Sequence, residues 1–488
     1  MKRLKWLSLL FVIGFTALQA IPAASSIDQR AAEQEGNPTP DLPEAPQAYS
    51  LYLPYMIRPP GSPYKITFGV ETWSYGANEN GSNLLNQANF TWIRRNGLIW
   101  SDIEPGKGNR IWSAASAVDL EGDFKHASEK GKKIILVVRS TPTWAQVDGK
   151  ACGRIQEEDI PAFASFMADV VKRYSVAPYN VMYYEIGNEP DAAAVNLSGP
   201  ETFGCWGDPS EAFYGGRYYA QVLKQVYPKM KAINPEINVL IGGLLMDCDP
   251  VNPPAGKDCA MSRYMEGILA DGGGPYFDFV SFHAYDYYQG GHGNYSNGNW
   301  NSAYNTTGPT LIAKIQFLRN LMATYNVTGK NYLATEIALL CQSQYTTCGD
   351  DAHQKTKAYY AVQAYAAAIA EGVVGSIWYH QYNIWNETGL MGVNDTPIYD
   401  VYHAVKFAGQ EIGASNGGKN VSQGVFFIYE LNSYKGKIWV AWSKDGATRS
   451  LTFTGALPKA AYNTFGSSLS VKSSMDIGAA PVYLEWGP

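Results

Sequence analysis

The chain has 488 residues, 46% hydrophobic and 17% charged, enough for one large core with a smaller domain beside it. Its net charge of −6, from 38 basic against 44 acidic residues, offers nucleic acid or an anionic membrane no broad basic face.

Residues 1–26 read as a signal peptide. Lys2, Arg3 and Lys5 form a basic start, Leu7 to Leu18 is apolar, and small residues follow at Ala20, Ala23 and Ala24. An uncleaved anchor is the rival reading, against which the apolar run is short for a bilayer. Residues 27–64 are rich in Pro, Gln, Glu and Ala without periodicity and read as a linker. Once the signal is removed, nothing else reaches spanning length, so no stable membrane insertion is expected.

Between residues 65 and 410, β-rich runs alternate with amphipathic helical segments. The expected strands are 66–73, 90–96, 133–139, 181–186, 237–243, 277–283, 331–336 and 374–380. Ile160, Phe163, Phe166, Met167, Val170, Val171 and Tyr174 recur at helical spacing in one intervening segment. Strand–helix alternation implies a parallel sheet, and eight units of this length suit an α/β (β/α)8 (TIM) barrel. A doubly wound sheet fits less well, because no Gly-rich phosphate loop follows the first strand. After residue 411 the helices stop. Short runs at 425–430, 437–443, 449–453 and 482–486 read as a small antiparallel β-sandwich domain, 411–488, packed on the barrel.

Six cysteines fit export. Cys341 and Cys348 are close in sequence, as are Cys248 and Cys259, which leaves Cys152 and Cys205; three disulfides are expected. A zinc site is the rival, but there is no Cys-x-x-Cys pair.

Two glutamates stand out. Glu189 follows the apolar run 183–188 in Glu185-Ile186-Gly187-Asn188-Glu189-Pro190, and Glu336 closes Tyr332-Leu333-Ala334-Thr335-Glu336. A carboxylate at the end of a buried strand is costly unless paired or used. At the top of a barrel strand it faces an active site. Pro190 restricts the backbone of Glu189. The bland reading of Glu189 is a helix cap or an arginine partner.

Asn188-Glu189 after the fourth strand, with Glu336 on the seventh, resembles the clan A glycoside hydrolases. The resemblance spans roughly residues 66–410. It implies Glu189 as acid/base, Glu336 as nucleophile and Asn188 as the residue that holds the sugar 2-hydroxyl. It also implies an arginine beneath the nucleophile, from Trp92-Ile93-Arg94-Arg95. Arg95 is the choice made here, with Arg94 competing, since strand alternation sends the two to opposite faces. His283 and Tyr285 match the His-x-Tyr of family 5, with the tyrosine bonding the nucleophile. Trp378 resembles the aromatic floor beneath the sugar, its alternative being a core tryptophan. Glu71, Trp73 and Trp144 are weaker candidates for substrate contacts. The trailing β domain resembles those of families 39, 30 and 51.

The implied activity is that of a secreted retaining β-glycosidase acting on a polysaccharide or oligosaccharide, internally by preference. An exo-acting xylosidase or arabinofuranosidase is the alternative within the class. A catalytically silent carbohydrate-binding surface protein is the alternative outside it. Two-carboxylate cleavage needs no cofactor or metal. No nucleophile elbow, His-Glu-x-x-His or phosphate-loop motif competes with it.

Overall fold

In the computed structural model, residues 68–75, 79–147, 149–193, 204–300, 308–342 and 346–487 are described. The expected signal peptide and linker lie outside them. Eight parallel strands form the centre: β1 (Phe68–Glu71), β2 (Trp92–Ile99), β3 (Lys133–Arg139), β4 (Tyr183–Asn188), β5 (Asn238–Gly243), β6 (Phe279–Tyr288), β7 (Asn331–Leu340) and β8 (Gly375–Trp378). A helix follows each in turn: α1 (Glu79–Gln87), α2 (Ala115–Glu129), α3 (Ile160–Tyr174), α4 (Gly216–Ile233), α5 (Tyr264–Ala270), α6 (Thr310–Thr324), α7 (Asp351–Ala370) and α8 (Tyr399–Glu411). Neighbouring strands run β5-β4-β3-β2-β1-β8-β7-β6, and Leu240 on β5 pairs with Phe279 on β6, so the sheet closes into a (β/α)8 barrel.

The strands are buried on both faces, which is why they read as near-continuous apolar runs. Their period of two still sorts side chains. Trp92, Ile135, Leu240, Phe279, Leu333 and Ile377, from six different strands, form one cluster separate from the main core. Only the barrel lumen lets six strands meet in this way, so these residues mark the inward face. Ile93, Leu136, Tyr184, Val239 and Val280 belong instead to the main core, with Leu85, Phe124, Val170 and Leu223 of the helices. Helix α3 shows the logic. It buries Ile160, Phe163, Phe166, Met167, Val170, Val171 and Tyr174 on one stripe, with a proline tolerated in its first turn.

The C-terminal β domain holds a five-stranded antiparallel sheet and a two-stranded one. Its strands are β9 (Gly418–Asn420), β10 (Phe426–Ser433), β11 (Gly436–Ser443), β12 (Arg449–Thr452), β13 (Ala460–Tyr462), β14 (Ser474–Ile477) and β15 (Val482–Gly487). The larger sheet runs β9-β10-β11-β15-β13, and β12 pairs with β14. Phe427, Tyr429, Val440, Trp442 and Tyr483 join the barrel's own core. Phe426, Ile428, Ala441, Val482 and Leu484 pack with Leu451, Met475 and Ile477 of the small sheet. Phe407 of α8 packs against the rings of Tyr462 and Tyr483, and Lys435 bonds Glu411 at 2.6 Å, so the domain is fused to the barrel wall.

Cys152–Cys205, Cys248–Cys259 and Cys341–Cys348 are disulfide-bonded. All three lie in segments that follow β3, β4, β5 or β7, so they brace the loops at the C-terminal face of the barrel. Among the described residues no helix is long and apolar enough to cross a membrane.

Candidate active site

Strand β4 ends with two residues at positive φ, Gly187 at +81° and Glu189 at +51°. The left-handed region costs a non-glycine residue about 1–3 kcal/mol and concentrates at functional sites. Pro190 on its own would favour an extended Glu189. Tertiary contacts override that preference: the Glu189 N–H donates to the Gly243 carbonyl at 3.1 Å, which turns the carboxyl inward. On β7 the register with β8 shifts between Ala334 and Ile337, and that with β6 shifts so that His283 pairs with Glu336. One extra residue on a strand re-aims the side chain after it.

These devices bring Asn188, Glu189, His283, Tyr285 and Glu336 together. One oxygen of Glu189, one nitrogen of His283 and one oxygen of Glu336 all lie within 4.8 Å of one another. His283 Nδ1 is 2.8 Å from Glu189 Oε1 and 3.4 Å from Glu336 Oε2. The Tyr285 hydroxyl donates to Glu336 Oε2. Beneath them sits Arg94. It donates to Glu336 Oε1 at 2.6 Å, Asn188 Oδ1 at 2.6 Å, Glu185 Oε2 at 2.7 Å, and Glu71. Gly243 leaves the room this arrangement needs, since a Cβ there would collide with His283 Nε2 and Thr335 Oγ1.

Two expected positions are corrected. Arg95 does not reach Glu336: it points outward, pairing with Asp123 of α2 at 2.7 Å and donating to the Thr72 carbonyl at 2.6 Å. Trp92 marks the inward face of β2, so the residue two further on, Arg94, is the one beneath Glu336. Trp378 is not a floor to the cleft. It is fully buried, its indole N–H donates to Thr388 O at 2.9 Å, and its ring packs on Tyr360 of α7. Ile377 faces inward, so the inward residue beyond it is Tyr379.

Tyr379 is one residue the sequence reading passed over. Its ring lies 6.3 Å from that of Tyr285 and 5.5 Å from that of Trp385, which was also missed. Lys314 of α6 is another. It donates to the carbonyls of Leu245 and His283 at 2.6 and 2.9 Å, tying the end of β5 to β6. A Lys inside an apolar helical stripe was the available signal. Of the weaker candidates, Glu71 is buried on Arg94, while Trp73 is 52% exposed with its ring 5.1 Å from His380. Trp144 donates to Glu104 O at 3.0 Å and meets Trp100 edge-on.

Burial sets the electrostatics. It raises Glu189 to about 7, against the opposing pull of Arg94 and Lys314. It raises Glu336 to about 7 as well, with Glu71 and Glu189 adding and Arg94 opposing. His283 falls to about 4, again through burial, and is neutral at pH 7. Burial would lower Arg94 too, but Glu185, Glu71 and Glu336 outweigh it and hold the guanidinium charged. The first proton to bind belongs on Glu189, because Glu336 receives the donors that favour ionisation. Glu189, His283 and Glu336 also have the spacing to hold a cation. Arg94 supplies Glu336 with a positive charge from the chain itself.

No protein-family model matches the sequence, and no curated protein does. Solved structures match over most of their length. A family 39 glycoside hydrolase from the gut symbiont Bacteroides cellulosilyticus WH2 aligns with a TM-score of 0.61 at 20% identity, over 87% of this chain and 81% of that one. A family 30 subfamily 8 xylanase from Clostridium acetobutylicum gives 0.56 at 13%, over 86% and 96%. An α-L-arabinofuranosidase from Thermotoga maritima gives 0.52 at 12%, over 86% and 95%. The likeness is one of fold. The barrel with its β domain is the fold this chain shares with these solved structures.

Proposed function

We propose that the chain is a retaining glycoside hydrolase acting on β-linked glycans. The observation that carries this reading is the approach of Glu189 and Glu336, with carboxyl oxygens within 4.8 Å. Retaining enzymes hold their carboxyl groups about 5–5.5 Å apart, and inverting ones about 6.5–9.5 Å. Burial that raises both carboxyls to about 7 supports it, since one group must carry a proton near neutral pH while the other attacks.

Glu336, ionised on Arg94 and Tyr285, attacks the anomeric carbon as protonated Glu189 gives its proton to the leaving oxygen. The glycosyl–Glu336 ester forms and the aglycone departs. Glu189, now a carboxylate, takes a proton from water, which displaces Glu336 and returns the sugar with its original configuration. Asn188, bonded by Arg94, holds the sugar 2-hydroxyl in this reading. Export is part of the proposal, with residues 1–26 as signal and 27–64 as tether; the three disulfides suit an oxidising compartment. Internal cleavage of a polysaccharide is the mode favoured.

A panel of aryl β-glycosides and plant and microbial polysaccharides tests this. Hydrolysis with retained configuration in the first-formed product, read by NMR, is expected, and an inverted product rules the mechanism out.

A further inference from the structure

Arg139 ends β3, four residues after the lumen residue Ile135, so its side chain turns into the barrel mouth. Nε donates to Asn96 Oδ1 at 2.9 Å, which fixes the plane of the guanidinium. Among the described residues its two terminal nitrogens bond no protein group, and no carboxylate lies within ion-pair distance. Eight described arginines have such a partner: Arg94, Arg95, Arg110, Arg154, Arg173, Arg263, Arg319 and Arg449. Apart from Arg139, only Arg217 does not, and it is exposed, lying over the Phe213 ring. Arg139 is partly buried. Burial lowers its pKa, Glu71 and Asp102 act on it from a distance to raise it, and Arg94 opposes them. A cation held in a cleft without a counter-ion is costly. Ser140, directly after it, sits at φ +69°, a second strained residue at the same mouth.

We propose that Arg139 is the anchor of a carboxylate-binding subsite, and that the substrate is an acidic glycan carrying uronic acid residues. The inference rests on the glycosidase reading and names its substrate class. The free edge of the guanidinium presents two parallel N–H donors, which match a planar carboxylate in a bidentate pair. A neutral sugar hydroxyl would leave the charge uncompensated. Asn96 holds the fork so that little freedom is lost on binding.

The test uses glucuronoxylan and a β-1,4-linked glucuronan, each beside its carboxyl-reduced form, in which the same backbone carries CH2OH in place of the carboxylate. Wild-type enzyme is expected to cleave at least one acidic polymer with kcat/KM at least about 10-fold above its reduced form, the scale of one charge-assisted pair. Arg139→Gln should lower the acidic rate at least about 10-fold more than the neutral one, and Arg139→Lys should restore part of the difference. Oligosaccharide binding by Glu336→Gln, measured calorimetrically, reads recognition apart from cleavage. Cleavage with no acidic preference, or equal losses in Arg139→Gln on both polymers, overturns the subsite and leaves the glycosidase. Arg139-dependent binding of the acidic oligosaccharide without any cleavage leaves the subsite and overturns the glycosidase. Neither binding nor cleavage overturns both.

Discussion

Arg94 and Glu336 meet inside the barrel with Nη1 2.6 Å from Oε1, and the same guanidinium also serves Glu71, Glu185 and Asn188. One buried cation is therefore shared among three carboxyl groups. Removing one partner of a buried ion network costs about 3–5 kcal/mol, because the charges left behind stay desolvated. Arg94→Met should destabilise the fold by that order in urea unfolding and abolish glycan cleavage. Arg94→Lys keeps the charge but not the fork, and should fold while losing most of its kcat. Arg95→Met breaks only the pair with Asp123, so its kcat should stay near wild type. Equal kcat losses in the Arg94→Lys and Arg95→Met proteins would contradict this assignment.

Tyr285 donates its hydroxyl to Glu336, a bond that favours the ionised carboxyl. In Tyr285→Phe that donor is gone, so the Glu336 pKa rises and the acid limb of the kcat/KM profile moves to higher pH. Loss of one such donor should lower kcat by about 10²-fold. An acid limb that stays in place would show that Arg94 alone sets the charge on Glu336.

What the sequence disclosed follows from burial. All eight barrel strands were legible, because runs such as Ile134-Ile135-Leu136-Val137-Val138 are buried on both faces and stay apolar throughout. The same property hid which face was which. With no polar–apolar alternation, nothing local separates Arg94 from Arg95, or Trp378 from Tyr379. The phase becomes visible only when Trp92, Leu333 and Ile377 are seen meeting across the lumen. Glu189 and Glu336 drew notice as carboxyls at the ends of apolar strand runs, and His283 and Tyr285 through their resemblance to the His-x-Tyr of family 5. Lys314 left a signal as a Lys inside an apolar helical stripe, whereas Trp385, on a loop, reaches the site through tertiary packing that no local pattern encodes. The short strands β9, β13 and β14 were missed.

The raised carboxyls carry a stability consequence. Glu189 and Glu336 titrate near 4.5 when unfolded and about 7 when folded. Between those values the folded state holds more protons than the unfolded one, so stability falls as pH rises from about 4.5 through 7. Glu189→Gln removes one of the two charges and should be more stable than wild type at pH 8, by roughly 1–3 kcal/mol, and nearly equal to it at pH 4.5. Urea unfolding at both values measures the difference. Wild type more stable at pH 8 than its variant would reverse the sign and sink the assignment.

Glu189 is separable from Glu336 by leaving group. Glu189→Ala should lose about 10²–10⁴-fold on poor leaving groups, which need a proton, and far less on activated aryl glycosides. Added azide should then be glycosylated with retained configuration, since Glu336 still forms the ester. Glu336→Ala should be inactive on every substrate until a small anion takes its place. NMR of the azide adduct distinguishes the two, and an inverted adduct from Glu189→Ala would exchange their roles.

Tyr379 and Trp378 are adjacent, yet strand alternation gives them opposite duties. Trp378 is fully buried against Tyr360, with its N–H on Thr388 O, so its contribution is to packing. Trp378→Phe should cost about 1–3 kcal/mol in unfolding through lost volume and one hydrogen bond, with KM little changed. The Tyr379 ring is partly open beside Tyr285 and Trp385, and burial followed by Glu71 and Glu336 raises its hydroxyl pKa, which places it within the field of the carboxyl pair. A flat face there suits the apolar side of a sugar ring, so Tyr379→Ala should raise KM and lower kcat while altering stability less than Trp378→Phe does. Kinetics and melting curves on the two variants resolve the pair. If Trp378→Phe carried the KM effect and Tyr379→Ala the stability loss, the inward phase of β8 deduced from Ile377 would be wrong.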